Sequence, residues 1–132
     1  MGTLGQPPEF VGWWELVFYT RGGQAQDVEG VIEHICSDGR FEAYRNGVRI
    51  AAGRHVDFQT DPPGFTNVQE DFHVFGVRGR ELTIYRLVGQ MLEVCKAPES
   101  CGRPERFGSP EGTSLVHVTA RRVSDADPRI PG

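Results

Sequence analysis

Histidine side chains are the first candidates for proton transfer in this chain. The four histidines are His34, His55, His73 and His117. No two of them have a spacing typical of metal ligands, so the sequence predicts no metal site. His34 lies in the run VIEHIC, on the same strand face as Ile32 and Cys36. If that face points inward, His34 is a candidate proton donor or acceptor in an apolar cavity; otherwise it is an ordinary surface histidine.

Tyr85 and Arg103 complete the candidate catalytic set with His34. Tyr85 lies in the strand-like run ELTIYRL, and Arg103 in the loop CGRPERF. Two interpretations of that loop remain open. In the first, Pro104 and Phe107 shape the loop and Arg103 is solvated. In the second, Arg103 reaches over the open mouth of a ligand pocket and binds an anionic or carbonyl oxygen with its planar guanidinium group.

The acidic residues form no pattern that predicts catalysis. Glu33, Glu42, Asp57, Glu70, Asp71 and Glu93 are dispersed along the chain. The run GSPEG is not a nucleophile elbow, and GVRGRE has no following helix that would make it a phosphate loop. We therefore predict no cofactor.

Short β-rich runs, separated by turns, must position these residues. The chain contains 17 glycines and 9 prolines, and Asn46-Gly47 is a strong hairpin signal. About eight strands are predicted, and closing them into a barrel removes the exposed sheet edges. The sequence thus predicts an all-β protein, an antiparallel up-and-down β-barrel, over residues 10–123. An N-terminal arm (1–9) and a polar, disordered tail (124–132) flank it.

Apolar side chains on the strands are predicted to line a pocket inside the barrel. Alternation along the first strand places Trp14, Leu16 and Phe18 on one face and Trp13 on the other. His117 shares a strand face with Leu115 and Thr119, so it could also point inward. The predicted ligand-binding residues are Leu16, Phe18, Phe41, Phe58, Phe75 and His117.

Two motifs resemble a lipocalin-like, calycin-type bacterial domain family that is abundant in planctomycetes. The opening GWWELV is similar to a G-x-W-E-L-V pattern. The segment LTIYRLVGQMLEVCKAPESCGRPERF is similar to the pattern I-Y-x-L, L-x-V-C-x-A-P, R-P-x-x-F, and the last strand ends in Arg121 and Arg122. The resemblance covers about residues 10 to 122 and implies a lipocalin-like barrel, but no shared reaction.

The resemblance also implies roles for the two tryptophans. In lipocalin-like barrels the indole that matches Trp14 plugs the closed end, and Arg121 or Arg122 could pack across it by a cation–π contact. Trp13 then points outward and needs a cover. The N-terminal arm, a helix or another subunit could provide it, so a homo-oligomer through the Trp13 face is a possible assembly.

Composition excludes several classes of partner. The net charge is −4, and the 14 basic residues are scattered, which disfavours a nucleic-acid partner. No apolar stretch has the roughly 20 residues of a membrane helix, and the N-terminus has no secretory signal, so we expect a cytoplasmic protein. Cys36, Cys95 and Cys101 are expected to be free thiols, although Cys95 and Cys101 could pair.

Three functions are compatible with these features. The barrel could be a cofactor-free cyclase or isomerase of the pericyclase type, acting on a hydrophobic natural-product intermediate by orientation and a few hydrogen bonds. It could be a non-catalytic carrier of a hydrophobic ligand. It could also be a protein-interaction domain with a filled barrel. We favour the first by analogy between folds, and cavity volume discriminates the first two from the third.

Overall fold

The strands follow the β-rich runs of the sequence. The computed structural model describes residues 5–71 and 79–131. Its strands are β1 (Gly12–Arg21), β2 (Gln24–Ala25), β3 (Val31–Ile35), β4 (Arg40–Arg45), β5 (Val48–Thr60), β6 (Pro63–Asp71), β7 (Gly79–Val88), β8 (Met91–Pro98) and β9 (Val116–Val123). Two short 3₁₀ helices, Pro8–Phe10 and Glu99–Cys101, precede β1 and follow β8.

A closed antiparallel barrel is formed by eight of these strands. Each long strand pairs with the next one along the chain, and β1 also pairs with β9, from Trp13 opposite Val123 to Arg21 opposite Val116. The short β2 extends β1 as a hairpin outside the ring. The predicted all-β, antiparallel up-and-down barrel of eight strands is confirmed, and it is consistent with a lipocalin-like architecture.

The β4–β5 connection shows how local sequence sets strand pairing. Asn46 and Gly47 have φ angles of 52° and 78°, and Arg45 pairs with Val48 across them. Two successive positive φ angles define the tight hairpin turn that Asn-Gly favours. The register of β4 against β5 therefore begins at this turn.

A β-bulge in β1 changes which side chains enter the barrel. Leu16 pairs with Ala120 and Phe18 with the adjacent Thr119, so Val17 is an extra residue in β1. Alternation restarts after the bulge, and Tyr19 rather than Phe18 is buried. The expected inward orientation of Phe18 is wrong for this reason; its side chain is 43% exposed.

The N-terminal arm and Trp14 close one end of the barrel. The ring of Phe10 is fully buried and lies edge-on to Tyr85, with the ring centroids 4.8 Å apart. Trp14 is 1% exposed, and its Nε1 donates a hydrogen bond to the carbonyl oxygen of Phe10 at 2.9 Å. The guanidinium of Arg122 lies 4.3 Å from the Trp14 ring centroid. Of the two arginines predicted for this contact, Arg122 makes it.

Two apolar clusters fill the two halves of the barrel. The cluster at the closed end includes Phe10, Trp14 and Phe65, while the other includes Tyr19, Val31 and Val116. No helix in the described ranges is long and apolar enough to cross a membrane. Residues 124–131, for which the sequence predicts disorder, contain turns, and Arg129 forms an ion pair with Glu15 of β1 at 2.7 Å.

Candidate ligand site in the barrel

A cavity of about 70 Å³ lies inside the barrel. It is large enough for about five waters, since one water centre needs roughly 10–15 Å³. It is well below the roughly 300–1,000 Å³ of typical ligand pockets, so a small organic molecule enters only if the walls move apart. Its apolar wall includes Phe10, Leu16, Phe41, Phe65, Val94 and Val118. An extended polyene does not fit this volume without movement of the walls.

Five strands contribute polar side chains to the same wall. These side chains belong to Glu33 of β3, His55 of β5, Asn67 of β6, and Thr83 of β7 together with Lys96 of β8. Thr83 is satisfied internally: its hydroxyl donates to the Phe65 carbonyl at 3.0 Å and accepts from the Phe65 amide at 3.1 Å. The other four side chains are the ones that can meet a ligand.

Lys96 is held near the cavity by a buried carboxylate. Its Nζ lies 3.7 Å from Oε1 of Glu81, a residue that is 3% exposed. Asn67 Nδ2 donates to the same Oε1 at 3.2 Å. Burial by itself lowers the pKa of Lys96, but the negative charges of Glu81 and Glu33 outweigh it and raise this pKa. Lys96 is therefore an ammonium at neutral pH.

Glu33 is the cavity-lining carboxyl group without a hydrogen-bond partner. Within residues 5–71 and 79–131, its carboxyl oxygens make no hydrogen bond. Burial raises the pKa of Glu33 from 4.5 to about 7, and the positive charge of Lys96 partly opposes this shift. Near neutral pH the group is thus present in both protonation states, as a general acid–base requires.

His55 presents a lone pair to this region. Gln6 Nε2 donates to the Cys36 carbonyl at 2.7 Å, so Gln6 Oε1 must be the acceptor for His55 Nδ1 at 3.3 Å. The Nδ1 atom therefore carries the hydrogen, and Nε2 is an acceptor. Burial, helped by the charge of Lys96, lowers the pKa of His55 to about 3, so the ring is neutral.

The predicted ligand-binding residues divide between the cavity and other places. Leu16 and Phe41 line the cavity, and the Phe41 ring stacks on His55 with centroids 4.8 Å apart. Phe58 packs at the closed end, with its ring 5.1 Å from Phe65. Phe75, like His73, lies outside the described residues.

Phe18 and His117 lie on the outer surface, which corrects their predicted inward orientation. The β1 bulge turns Phe18 outward, and its ring lies 5.7 Å from His117. Val116 and Val118 occupy the inner face of β9, so alternation places His117 outside. There its Nε2 lies 2.5 Å from Glu93 Oε2.

His34 also lies outside the barrel, because Val31, Glu33 and Ile35 take the inner face of β3. The hypothesis of His34 in an apolar cavity is therefore wrong. Its ring stacks on Trp13 with centroids 4.4 Å apart and an interplanar angle of 12°. Trp13 thus has a cover on one face within its own chain.

Tyr85 and Arg103 have structural contacts. Tyr85 packs against Phe10 at the closed end, and burial, with a smaller effect from Glu9, raises its pKa. Arg103 Nη1 donates to the carbonyl oxygens of Phe65 at 3.1 Å and Thr83 at 2.6 Å, which joins β6 to β7. The guanidinium thus binds backbone oxygens, where the sequence predicted either solvent or a ligand oxygen.

Sequence reasoning missed Glu33, Asn67, Glu81 and Lys96. Their signal is a polar residue at an apolar alternation position: Glu33 between Val31 and Ile35, and Lys96 after Leu92 and Val94. Lys96 is also the single lysine in the chain. No linear spacing joins these residues, since each comes from a different strand.

Comparisons with protein-family models, with curated proteins and with solved structures find no match to this chain. The resemblance to lipocalin-like domains therefore stays a prediction that rests on the sequence motifs. The eight-stranded barrel fits a fold that binds small molecules.

Proposed function

We propose that this protein binds a compact, mainly apolar small molecule inside its barrel and acts on it as a cofactor-free isomerase or cyclase. The observation that carries the proposal is the carboxyl of Glu33, which makes no hydrogen bond within the described residues and faces the cavity together with the Lys96 ammonium. Moving a carboxyl group out of water without a hydrogen bond is costly for folding. A functional role explains why such a group occupies the inner face of β3.

The Glu33 carboxyl favours an enzyme over an inert carrier. A carrier for an apolar ligand needs only apolar walls, whereas a proton-transfer enzyme needs a group whose pKa lies near the working pH. The pKa of Glu33, about 7, meets that need. The volume of about 70 Å³ favours a compact intermediate over an extended chain.

Binding is tested by NMR titration of the ¹⁵N-labelled protein with four probes of one size. Cyclopentanone, cyclopentanol, cyclopentylamine and cyclopentanecarboxylate share a ring that suits a small cavity and differ in their polar group. We expect at least one probe to shift the amide signals of cavity residues in a saturable way.

Two neighbouring substitutions make a matched control. Leu16→Phe adds a ring to the cavity wall, whereas Val17→Phe adds the same ring at a position that is 50% exposed. Leu16→Phe should abolish the shifts, and Val17→Phe should leave them unchanged. If no probe shifts the cavity signals, or if both variants behave alike, the barrel interior is not a binding site.

A further inference from the structure

We propose that the substrate is a compact, uncharged carbonyl compound with an acidic C–H bond beside the carbonyl carbon. Glu33 moves the proton, and Lys96 donates a hydrogen bond to the carbonyl oxygen. This inference rests on the proposed function and names its substrate class.

The unused hydrogen-bonding groups of the cavity match a carbonyl compound. Lys96 has an ion pair with Glu81 at 3.7 Å but no hydrogen bond within the described part of the chain, so its N–H groups can reach an oxygen. The Glu33 carboxyl is likewise free to accept or donate a proton. A carbonyl oxygen with an adjacent C–H group is complementary to one donor and one base.

Charge balance disfavours a charged ligand. The Lys96 ammonium and the Glu81 carboxylate compensate each other, so the site is neutral when Glu33 is protonated and carries one negative charge when Glu33 is a carboxylate. A carboxylate ligand would add a buried negative charge without a partner of its own, and an ammonium ligand would be repelled by Lys96. A neutral carbonyl adds no charge when it binds. Negative charge develops on its oxygen only during reaction, where Lys96 stabilises it.

The chemical step balances without a cofactor. The Glu33 carboxylate takes the proton from the α-carbon of a β,γ-unsaturated ketone. The C–H electron pair becomes a new C–C double bond, and the carbonyl π pair moves to the oxygen as a dienolate held by Lys96. Glu33 then returns the proton to the γ-carbon, and the electrons shift to give the conjugated enone. No atom, electron or charge is gained or lost.

Lys96 is the charged group that acts on Glu33 across the cavity. The groups that in turn act on Lys96 are Tyr19 and Arg21 of β1, Glu33 of β3 and Glu81 of β7, and Lys96 also acts on His55 of β5. The wall formed by β4, β6 and β9 consists of uncharged side chains, including Phe41, Asn67 and Ala120. His55 stays neutral above its pKa of about 3 and Lys96 stays charged, so of these two and Glu33 only Glu33 changes its protonation near neutral pH.

The experiment follows the conversion of cyclopent-3-enone to cyclopent-2-enone by the rise in ultraviolet absorbance. We expect catalysis above the buffer rate, with kcat/KM rising with pH and an inflection near pH 7. Glu33→Gln should lower kcat/KM about 100-fold or more, the usual contribution of a general acid–base. Glu29→Gln removes an exposed carboxyl of the β2–β3 loop and should leave the rate unchanged.

The Lys96 contribution needs a variant that keeps the buried charges balanced. Lys96→Met leaves Glu81 unpaired and can unfold the barrel, whereas Lys96→Met/Glu81→Gln removes both charges. The double variant should lose about 100-fold in kcat/KM, as for removal of one oxyanion donor. The inflection in its dependence of kcat/KM on pH should move to higher pH, because the variant lacks the Lys96 charge that lowers the pKa of Glu33.

The possible outcomes separate this inference from the proposed function. If cyclopentanone binds but cyclopent-3-enone reacts no faster than in buffer, the inference is overturned, while binding in the barrel stands. If the amine or the carboxylate binds and the ketone does not, the substrate class is wrong. If no probe binds the cavity, the proposed function itself fails.

Discussion

Glu33 shows how one residue can connect stability with chemistry. Its neighbours on the inner face, Val31 and Ile35, are buried apolar side chains, and the carboxyl lines the cavity between them. The resulting pKa of about 7 means that ionising Glu33 costs the folded state free energy. A residue that destabilises the fold at neutral pH is best explained by a role in the cavity.

The first prediction concerns the pH dependence of stability. The pKa of Glu33 is raised in the folded state, so its contribution to stability is fully present below pH 4.5 and is lost as the pH rises to about 7. At pH 8 the free energy of unfolding of Glu33→Gln, measured with urea, should therefore exceed that of the wild type by about 2–3 kcal/mol. The advantage should shrink toward pH 5. Equal gains at both pH values would show that ionisation of Glu33 is not the cause.

The second prediction concerns the dependence of stability on pH at the acidic side. The pKa of His55 is lowered from 6.5 to about 3, so its stabilising contribution is present above pH 6.5 and is lost as the pH falls toward 3. We expect wild-type stability in urea to be highest between about pH 5 and 6.5, where the two effects oppose each other. A monotonic rise in stability from pH 4 to pH 8 would contradict these two assignments.

At the scale of elements, the run GWW is explained by the contacts of β1 with β9 and the arm. Gly12 has a φ of 134°, and a Cβ there would lie 2.7 Å from Arg122 Nη1. The absence of a side chain lets Arg122 reach the Trp14 ring and donate to the carbonyl oxygens of Val11, at 2.9 Å, and Glu9. Arg122 therefore connects β9 with β1 and with the segment that precedes β1.

The third prediction compares two adjacent arginines of β9. Arg122→Met removes the cation–π contact and the bonds to the arm, which should cost about 2–4 kcal/mol in the free energy of unfolding. Arg121→Met removes an exposed ion pair with Glu15, which should cost at most about 1 kcal/mol. Urea denaturation measures both values. Equal losses would mean that Arg122 does not secure the closed end.

At the scale of the whole molecule, residues 6–10 pack into the barrel core. Phe10 touches Phe58, Phe65 and Tyr85, which lie on three strands, and Gln6 bonds to His55. These contacts fix residues 6–10 against the barrel near Trp14.

A homo-oligomer through the Trp13 face stays a prediction. His34 covers one face of the indole, and Tyr44 lies 6.0 Å from it, which reduces the need for a second subunit. Sedimentation velocity of the wild type and of Trp13→Ala gives the test. An oligomer that dissociates in the variant would support the Trp13 interface, and a monomeric wild type would exclude it.

Much of the fold was determined by the sequence itself. Dense turn residues, Asn46-Gly47 and period-two alternation predicted the antiparallel barrel, because these signals act between near neighbours. The role of Trp14 was implied by the resemblance of GWWELV to the opening of lipocalin-like domains. The bulge at Val17 was not predictable, since it depends on how β1 pairs with β9 about 100 residues away. For this reason the predicted inward orientation of Phe18 was wrong.

The candidate site was decided by the tertiary structure alone. Glu33, His55, Asn67, Glu81 and Lys96 come from five strands, and only barrel closure brings their inner faces together. A single residue shift of a strand exchanges its inner and outer faces, so the orientation of His34 and His117 could not be read from their own runs. The sequence contained the groups that could do chemistry, and the closed barrel determined which of them share a cavity.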